Sequence, residues 1–422
     1  MSKLERSLSL TQVTLMSIGI ILGAGIYVVI GEAAGLAGNM LWLSFIIAAL
    51  VATFSGLSYA ELSSRFPSAA AEYTYVDQSF GKRLAWVTGW LIIAGSIIGS
   101  ATVAIGFSNY FSVLFHTPII LTAIATLCII GCILFAGVQE TASLTILFTV
   151  IEAVGLIIII IIGIPSLGSV DYTVLAKSFQ GIIQGGVLIF FGYLGFEGIT
   201  RLAGETKNPE ETIPKAILLS IAITTVFYIL VGLAAISVIP FQELAAADAP
   251  LALVAERVFG NQSFLILSVI ALFSTFNTAL VMLLSGSRIV YGMAEENGLP
   301  KVFSKVFSRT KTPWVSIIAV VITSMAFTLL GDLKTVANLT NFTVFAVFIL
   351  INAVVIHLRF RKPVESGFHS PLSIGRVPFF PILGIVTSCV MLIHIELPII
   401  FMGAGLIVLG IILQYVYYAR AD

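Results

Sequence analysis

Charged residues are scarce in this chain of 422 residues: Asp, Glu, Lys and Arg make up 10% of it, against 59% hydrophobic residues. No soluble fold could hide that much apolar surface behind so few charges, whereas a helical bundle in lipid leaves much of it facing acyl chains. Net charge is lacking as well, with 21 basic and 21 acidic residues, so nothing suggests a nucleic-acid partner or a polybasic tail. Cysteine occurs only at Cys128, Cys132 and Cys389, all in apolar segments. These read as small hydrophobes in packed helices, neither disulfides nor metal ligands. Catalytic motifs are missing: there is no H-E-x-x-H, no G-x-S-x-G and no Walker loop, and Gly331-Asp332 has no aspartyl partner. The chain therefore does not read as an enzyme, and no cofactor is expected. Gly23-Ala24-Gly25 begins like a dinucleotide fingerprint, but Val28 takes the place of the third glycine and a span replaces the strand. The polar stripes of a channel pore are sparse.

What is present in quantity is long apolar runs, with a mean hydropathy of +1.09. Windows of about 20 residues predict an all-α polytopic membrane protein with twelve spans. These cover residues 10–37, 40–64, 83–112, 118–137, 143–165, 182–203, 213–239, 262–292, 313–331, 336–361, 378–396 and 398–419. Proline and polar clusters punctuate them, as at Arg65-Phe66-Pro67-Ser68 and Lys207-Asn208-Pro209. The opening MSKLERSLSL resembles a signal n-region, but the following run is too long for an h-region and shows no clear cleavage pattern, so it reads as a retained first span. Segment 240–261 reads as a short external helix or ordered loop. With both termini in the cytoplasm, all of the 21 basic residues except Lys177, Arg257 and Lys334 fall on the inner side. That is the asymmetry of a positive-inside protein in a cell membrane.

Two of these spans are interrupted by glycine. The first breaks at Gly23-Ala24-Gly25, and the sixth at Gly192 and Gly195, which flank Tyr193-Leu194. Lipid cannot satisfy freed backbone groups, so a break in mid-membrane is tolerable only against buried protein, an aqueous cavity or a ligand. The half-helix beginning near Gly25 aims N–H groups and a positive dipole end at the mid-plane, which suits a carboxylate; the alternative is a glycine-rich packing surface. Helices one to five and six to ten each contain an odd number of spans, so two copies of such a unit enter from opposite faces. Paired breaks on that plan mark a 5+5 inverted repeat with the substrate where the breaks meet. Residues 1–361 are then a ten-helix transport core, with repeats at about 10–165 and 182–361, and residues 362–422 add a cytoplasmic loop and two accessory helices.

Several stretches also carry a family resemblance. Gly23-Ala24-Gly25-Ile26-Tyr27 resembles the G-x-G-I-F element of the amino acid, polyamine and organocation transporter superfamily. Phe190-Phe191-Gly192-Tyr193-Leu194-Gly195-Phe196-Glu197 is similar to its F-F-A-Y-x-G-F-[DE] element. Glu61 to Tyr73, Glu205 to Ile217 and Ser285 to Pro300 match further segments in the family's order, with Gly192 for a common Ala and Ala69-Ala70-Ala71 for a Gly pair. The resemblance implies a leucine-transporter-like fold and an amino acid permease working by alternating access. Proton-coupled uptake of neutral amino acids is the expected activity. Exchange, sodium coupling and a sensing role with little flux are the alternatives, and a polyamine or cationic amino acid carrier ranks below them.

The site follows from both readings. The substrate carboxylate is expected at the amides of Ala24, Gly25 and Ile26, and its ammonium at the carbonyls of Phe191, Gly192 and Leu194. Ile21 and Phe190 would be apolar walls; Gly95 and Gly99 would leave room or, equally, pack helices closely. Ser274, Thr275 and Asn277 would add limited polarity. Among carboxylates within spans, Glu61 is expected to pair with Arg65 and Glu197 with Arg201, each four residues on, while Glu32 and Glu396 lie near outer ends. Glu152 has no basic residue within a helical turn; the resemblance implies that several proton-coupled, sodium-independent members carry a lysine at this position, so the charge here is of the opposite sign. An isolated intramembrane carboxylate is costly and marks function, so Glu152 is the expected coupling residue, for a proton or for sodium. The alternative is a packing role with one interhelical hydrogen bond.

Overall fold

The computed structural model describes residues 5–176, 178–247, 249–330, 333–361 and 367–419. Lys3, Lys177, Asp248, Gly331-Asp332, Lys362 and Arg420 lie outside them. The described chain is almost entirely helical, with one two-stranded hairpin at β1 (Ser373–Ile374) and β2 (Val377–Pro378). Nine of its stretches are long and apolar enough to cross a membrane. The first of them, Leu10–Arg65, holds two of the expected spans, and the shorter apolar helices Trp314–Phe327 and Phe379–Ile393 stand at the ninth and eleventh positions. All twelve expected spans are thereby matched to helix.

The first span is α1 (Leu10–Leu22) and α2 (Ala24–Ala37). A capping box starts α1: Ser9 Oγ accepts from the Gln12 amide, and the Gln12 side chain accepts from the Ser9 amide at 2.9 Å, which satisfies two of the amides a helix start leaves unpaired. The break is narrower than the three residues expected. Gly23 alone leaves the helix, at ψ −125°, and Ala24 and Gly25 already belong to the next turn. The second span is α3 (Leu41–Arg65), followed by α4 (Ala71–Phe80), a short helix where only a turn was expected. Spans three to five are α5 (Lys82–Phe115), α6 (Ile119–Ala136) and α7 (Val138–Gly163). The sixth is α8 (Phe179–Tyr193), then a break, then a 3-10 segment over Gly198–Glu205. The seventh, α9 (Pro209–Val238), begins with Pro209 in its first turn and Glu210 and Glu211 beside it, a favourable arrangement for a helix N-terminus.

Segment 240–261 folds as α10 (Phe241–Ala245) and α11 (Pro250–Phe259). Then come α12 (Asn261–Glu295), α13 (Trp314–Phe327), α14 (Leu333–Arg361), α15 (Phe379–Ile393) and α16 (Leu397–Ala419). The most extensive helix contacts join α5 with α12, α3 with α9, and α2 with α8. Each of these pairs joins a span to the one five places later. Cys128 and Cys132 lie on the exposed face of α6 rather than in packed interior, and the three cysteines are free.

The N-terminal strand of chain is tied to the sixth span. The Ser7 and Leu8 amides both donate to the Glu205 carbonyl at 2.9 Å, and the Lys207 amide donates to the Leu8 carbonyl at 2.9 Å. The start of α1 and the end of the 3-10 segment are thus joined backbone to backbone.

Candidate substrate site

The two breaks touch. A Cβ on Gly25 would stand 1.9 Å from the Gly192 Cα, so only two glycines let the start of α2 and the end of α8 approach so closely. The first amides of α2 have no partner within their own helix, and the residue at its N-cap, Gly23, has no side chain with which to cap them. On the opposite side, the helix carbonyls are freed. α8 ends at Tyr193, Leu194 is extended at ψ 138°, and Gly195 turns the chain at φ 124°, a conformation that favours glycine. Glu197 closes this turn, its Oε2 accepting from the Gly195 amide at 2.9 Å. Its carboxylate therefore satisfies an amide that the broken helix would otherwise strand.

Tyr228 of α9 bridges both breaks. Its buried hydroxyl contacts the Ile21 carbonyl at the end of α1 and lies 2.8 Å from the Gly192 carbonyl at the end of α8. A phenol carries one proton and cannot satisfy two acceptors at once. An ammonium, with three N–H donors, would satisfy both. The site thus presents the helix-start amides of one half-helix and, at the ends of two others, carbonyls that share a single phenol proton, the complement of an α-carboxylate beside an α-ammonium. No charged side chain is needed.

Next to this junction a cavity extends between α1, α5, the sixth span, α12 and α14, lined among others by Ile20, Gly95, Leu194, Glu197, Met282 and Thr340. Of the residues expected at the site, Gly25 and Ile26 open α2, and Ala24 precedes them, its side chain outside those described. Phe191 and Gly192 close α8, and Leu194 faces the cavity. Ile21 contributes through its carbonyl. Phe190 is buried in an aromatic layer, 4.5 Å from Phe345 and 5.8 Å from Phe348 between ring centroids. The Thr275 hydroxyl donates to the Ala271 carbonyl of its own helix at 2.8 Å. Gly99 lies close to Met282 and Thr340, its place for a Cβ being 3.2 Å from the Met282 Sδ.

Glu152 lies behind the break in α1. It is fully buried, and its Oε1 accepts from the Asn277 side-chain amide at 3.3 Å, while the same amide reaches Thr149 Oγ1 at 3.3 Å. A Cβ on Gly19 would come within 3.1 Å of the Glu152 carboxylate, so the acid rests on α1 one turn before the break. Among the described residues Glu152 Oε2, Asn277 Oδ1 and Ser274 Oγ are buried without a close hydrogen bond, the Ser274 hydroxyl lying within reach of the Glu152 carboxylate. Tyr27 of α2 donates to the Glu152 backbone carbonyl at 2.9 Å, so one residue of α7 touches both halves of the first span.

A sequence profile described as "Amino acid permease" matches residues 8–418 of the chain. The chain belongs to this family. A "Branched-chain amino acid permease BcaP" of Bacillus subtilis (strain 168) is 28% identical to the permease, covering 98% of this chain and 93% of its own. A "Methylthioribose transporter" of the same organism is 30% identical, covering 91% and 87%. A "Cationic amino acid transporter 4, vacuolar" of Arabidopsis thaliana is 28% identical over 86% of this chain and 64% of its own. All three are named as transporters or permeases, and the permease is not an enzyme.

Of the two expected ion pairs of the permease, Glu197 with Arg201 gives way to another, and Glu61 with Arg65 persists at 4.0 Å beside a closer partner. Arg201 pairs with Glu72 of α4, through Nε at 3.0 Å and a terminal nitrogen at 2.5 Å, and also donates to Ser285 Oγ. Glu61 takes a bidentate pair with Arg359 of α14, at 3.0 and 2.5 Å, whereas Arg65 stands at 4.0 Å. In both cases a planar guanidinium finds a better fork geometry across helices than along one. A third buried pair, Arg288 with Glu205, fastens α12 to the end of the sixth span at 3.0 and 2.8 Å. Sequence reasoning missed Glu72, Arg288, Arg359 and Tyr228, each of which stands in an ordinary helix context in the sequence.

Proposed function

We propose that this permease is a secondary active carrier that takes up neutral amino acids by alternating access, with a proton as the coupling ion. The observation that carries the reading is the backbone contact of the two breaks at Gly25 and Gly192, with Tyr228 between the carbonyls that an ammonium would take. A zwitterionic head group fits that arrangement without a charged side chain. Neutral side chains are favoured because the acid beside the cavity, Glu197, is committed to the Gly195 amide, and Arg201 is committed to Glu72. The name of the relative described as a branched-chain permease agrees.

The pairing of spans one with six, two with seven and three with eight supports a 5+5 inverted repeat within residues 1–361, with residues 362–422 accessory to it. The basic-residue asymmetry supports a cell-membrane protein with both termini cytoplasmic. Glu152 is the coupling group: buried against α1, it exchanges a proton when water reaches it and is cheaper to close over when neutral. One observation favours a second reading. Glu152 Oε2, Asn277 Oδ1 and Ser274 Oγ are three buried oxygens in one group without a close hydrogen bond among the described residues, the ligand type that a sodium ion selects.

Glu152→Gln separates these readings in proteoliposomes. The variant keeps shape and hydrogen bonding but exchanges no proton, so accumulation driven by a pH gradient should collapse while exchange at equal pH survives. Undiminished pH-driven uptake would sink the proton role. Strict sodium dependence of the wild type would assign these oxygens to the cation. Counterflow over a panel of radiolabelled amino acids identifies the substrate, and ligand binding without flux would indicate a receptor.

A further inference from the structure

The connection between α12 and α13 carries four bases, Lys301, Lys305, Arg309 and Lys311, and no acid between Asn297 and Pro313. It lies on the N-terminal face, where Arg309 and Lys311 border one cavity with Glu5 and Ser7. The connection is folded rather than loose. It opens with a 3-10 turn over Lys301–Ser304, anchored where Trp86 Nε1 donates to the Gly298 carbonyl at 2.7 Å and Ser316 Oγ to the Phe303 carbonyl at 2.7 Å. Beyond it the chain turns back on itself, the Phe307 amide donating to the Thr312 carbonyl at 2.8 Å and the Lys311 amide to the Phe307 carbonyl at 2.9 Å. Held in this way, Lys301, Lys305 and Arg309 are exposed, and none of the four bases forms an ion pair among the described residues. The same cavity also holds Glu140 and Glu205, of which Glu205 is taken by Arg288. Apolar side chains stand beside the bases. Val302 and Phe307 are exposed, and Trp314, Ile318 and Ile322 of α13 are 37, 37 and 61% exposed. Residues four apart lie on one face of a helix, so an exposed apolar stripe about 12 Å long runs up α13 to the bases.

We propose that this connection docks an anionic phospholipid of the leaflet on the N-terminal side, with its phosphate on the bases and an acyl chain along the stripe of α13. Phosphate oxygens accept from ammonium and guanidinium groups, and Trp314 stands where amphipathic rings settle between headgroup and chain. A zwitterionic headgroup is disfavoured, because its ammonium would meet four bases and find no acid in the connection. A free phosphate would make the charge contacts but leave Phe307 and the stripe unused. Bases clustered directly beside a span draw anionic lipid at roughly fivefold in affinity per charge. Through Gly298 the connection is bonded to Trp86 of α5, and through Phe303 to Ser316 of α13. A docked lipid would therefore hold α5, α12 and α13 together at one end, outside the two spans that carry the breaks. The inference needs only a chain in a bilayer and stands apart from the substrate reading.

Native mass spectrometry of the full chain in detergent, titrated with phosphatidylglycerol or phosphatidylcholine, reads the docking directly. The wild type is expected to bind phosphatidylglycerol about tenfold more tightly or better. Lys301→Gln combined with Lys305→Gln, Arg309→Gln and Lys311→Gln should abolish that preference. An equal loss of charge elsewhere, Lys82→Gln combined with Arg83→Gln, Lys207→Gln and Arg361→Gln, should keep it. Lys305→Gln alone, at an exposed side chain, should cost about fivefold and carries the test if the combined variant does not fold. Trp314→Ala with Ile318→Ser should weaken phosphatidylglycerol binding although no charge has changed. Equal binding of the two lipids by the wild type would overturn the proposal. So would a loss of preference as large in the control variant, because the net charge of the whole face would then account for it. Displacement of phosphatidylglycerol by inorganic phosphate, or full binding in the Trp314 and Ile318 variant, would reveal an anion site without lipid character and would overturn it as well.

Discussion

Gly25→Ala adds one methyl group at the place where the two breaks meet, and the structure sets the size of the effect. The new carbon would stand 1.9 Å from the Gly192 Cα, 2.8 Å from its amide nitrogen and 3.1 Å from its carbonyl carbon. All three are backbone atoms, so no rotamer change relieves the clash. Carbon atoms rest about 3.5–4.0 Å apart, so the half-helices must separate by roughly 1.5–2 Å. A substrate that spans the junction depends on amides of one half-helix and carbonyls of the other, and a separation of that size breaks hydrogen bonds that form only at about 2.7–3.2 Å; two lost bonds to charged groups, about 1.5–3 kcal/mol each, weaken binding on the order of a hundredfold or more. Overpacking itself costs about 1–3 kcal/mol, which a twelve-span bundle tolerates. The expectation is a protein that inserts and purifies normally but binds its amino acid at least a hundredfold more weakly, measured by scintillation proximity. Gly405→Ala is the control, because a Cβ there meets nothing within 4 Å. Wild-type affinity in Gly25→Ala would refute the placement of the substrate across the breaks.

Tyr228→Phe removes the one phenol proton shared by the Ile21 and Gly192 carbonyls, at about 1–3 kcal/mol for the one buried acceptor it satisfied. Its Tm should fall, and saturating substrate should recover much of the loss by supplying an ammonium; an equal deficit with and without substrate would contradict the shared use of these carbonyls. Glu72→Gln strands the buried Arg201 and should cost roughly 3–5 kcal/mol, whereas Glu243→Gln removes only a half-exposed partner of Arg257 and should cost less than about 1 kcal/mol, a contrast that thermal unfolding in detergent resolves. Single cysteines in a cysteine-free background test sidedness. The exposed Ser169 should label with a membrane-impermeant maleimide from outside intact cells and Ser308 only after lysis, and the reverse pattern would invert the topology.

Both breaks were legible because glycine in a long apolar run is a local signal, visible without any partner. Their widths were not. Where the helix resumes depends on how closely α12 approaches Gly23 and α8 approaches Gly25, which no window of sequence contains. The spacing of Glu61 and Arg65 was a sound local expectation, but Arg359 wins from 298 residues away because its approach from α14 is bidentate. Arg201 likewise turns from Glu197 to Glu72, 129 residues off. Glu152 stood out as an isolated acid, yet the Asn277 and Ser274 that surround it come from α12. Tyr228 carried no signal at all: a tyrosine among Ile, Val and Phe reads as core until its hydroxyl is found between two broken helices.

The backbone ties of Ser7 and Leu8 to Glu205, and of Lys207 to Leu8, have a mechanical consequence. α1 and the 3-10 segment after the break of the sixth span are one lever with two arms. A push on either arm arrives at the other, so the two cannot report separate stages of opening, and a molecule gripping only one break would still set the stance of both. Removing the first eight residues would unlink the arms without touching any group that meets the substrate. Opening would then lose its single threshold, and on the proposed coupling the carrier would slip, letting the ion pass with less cargo.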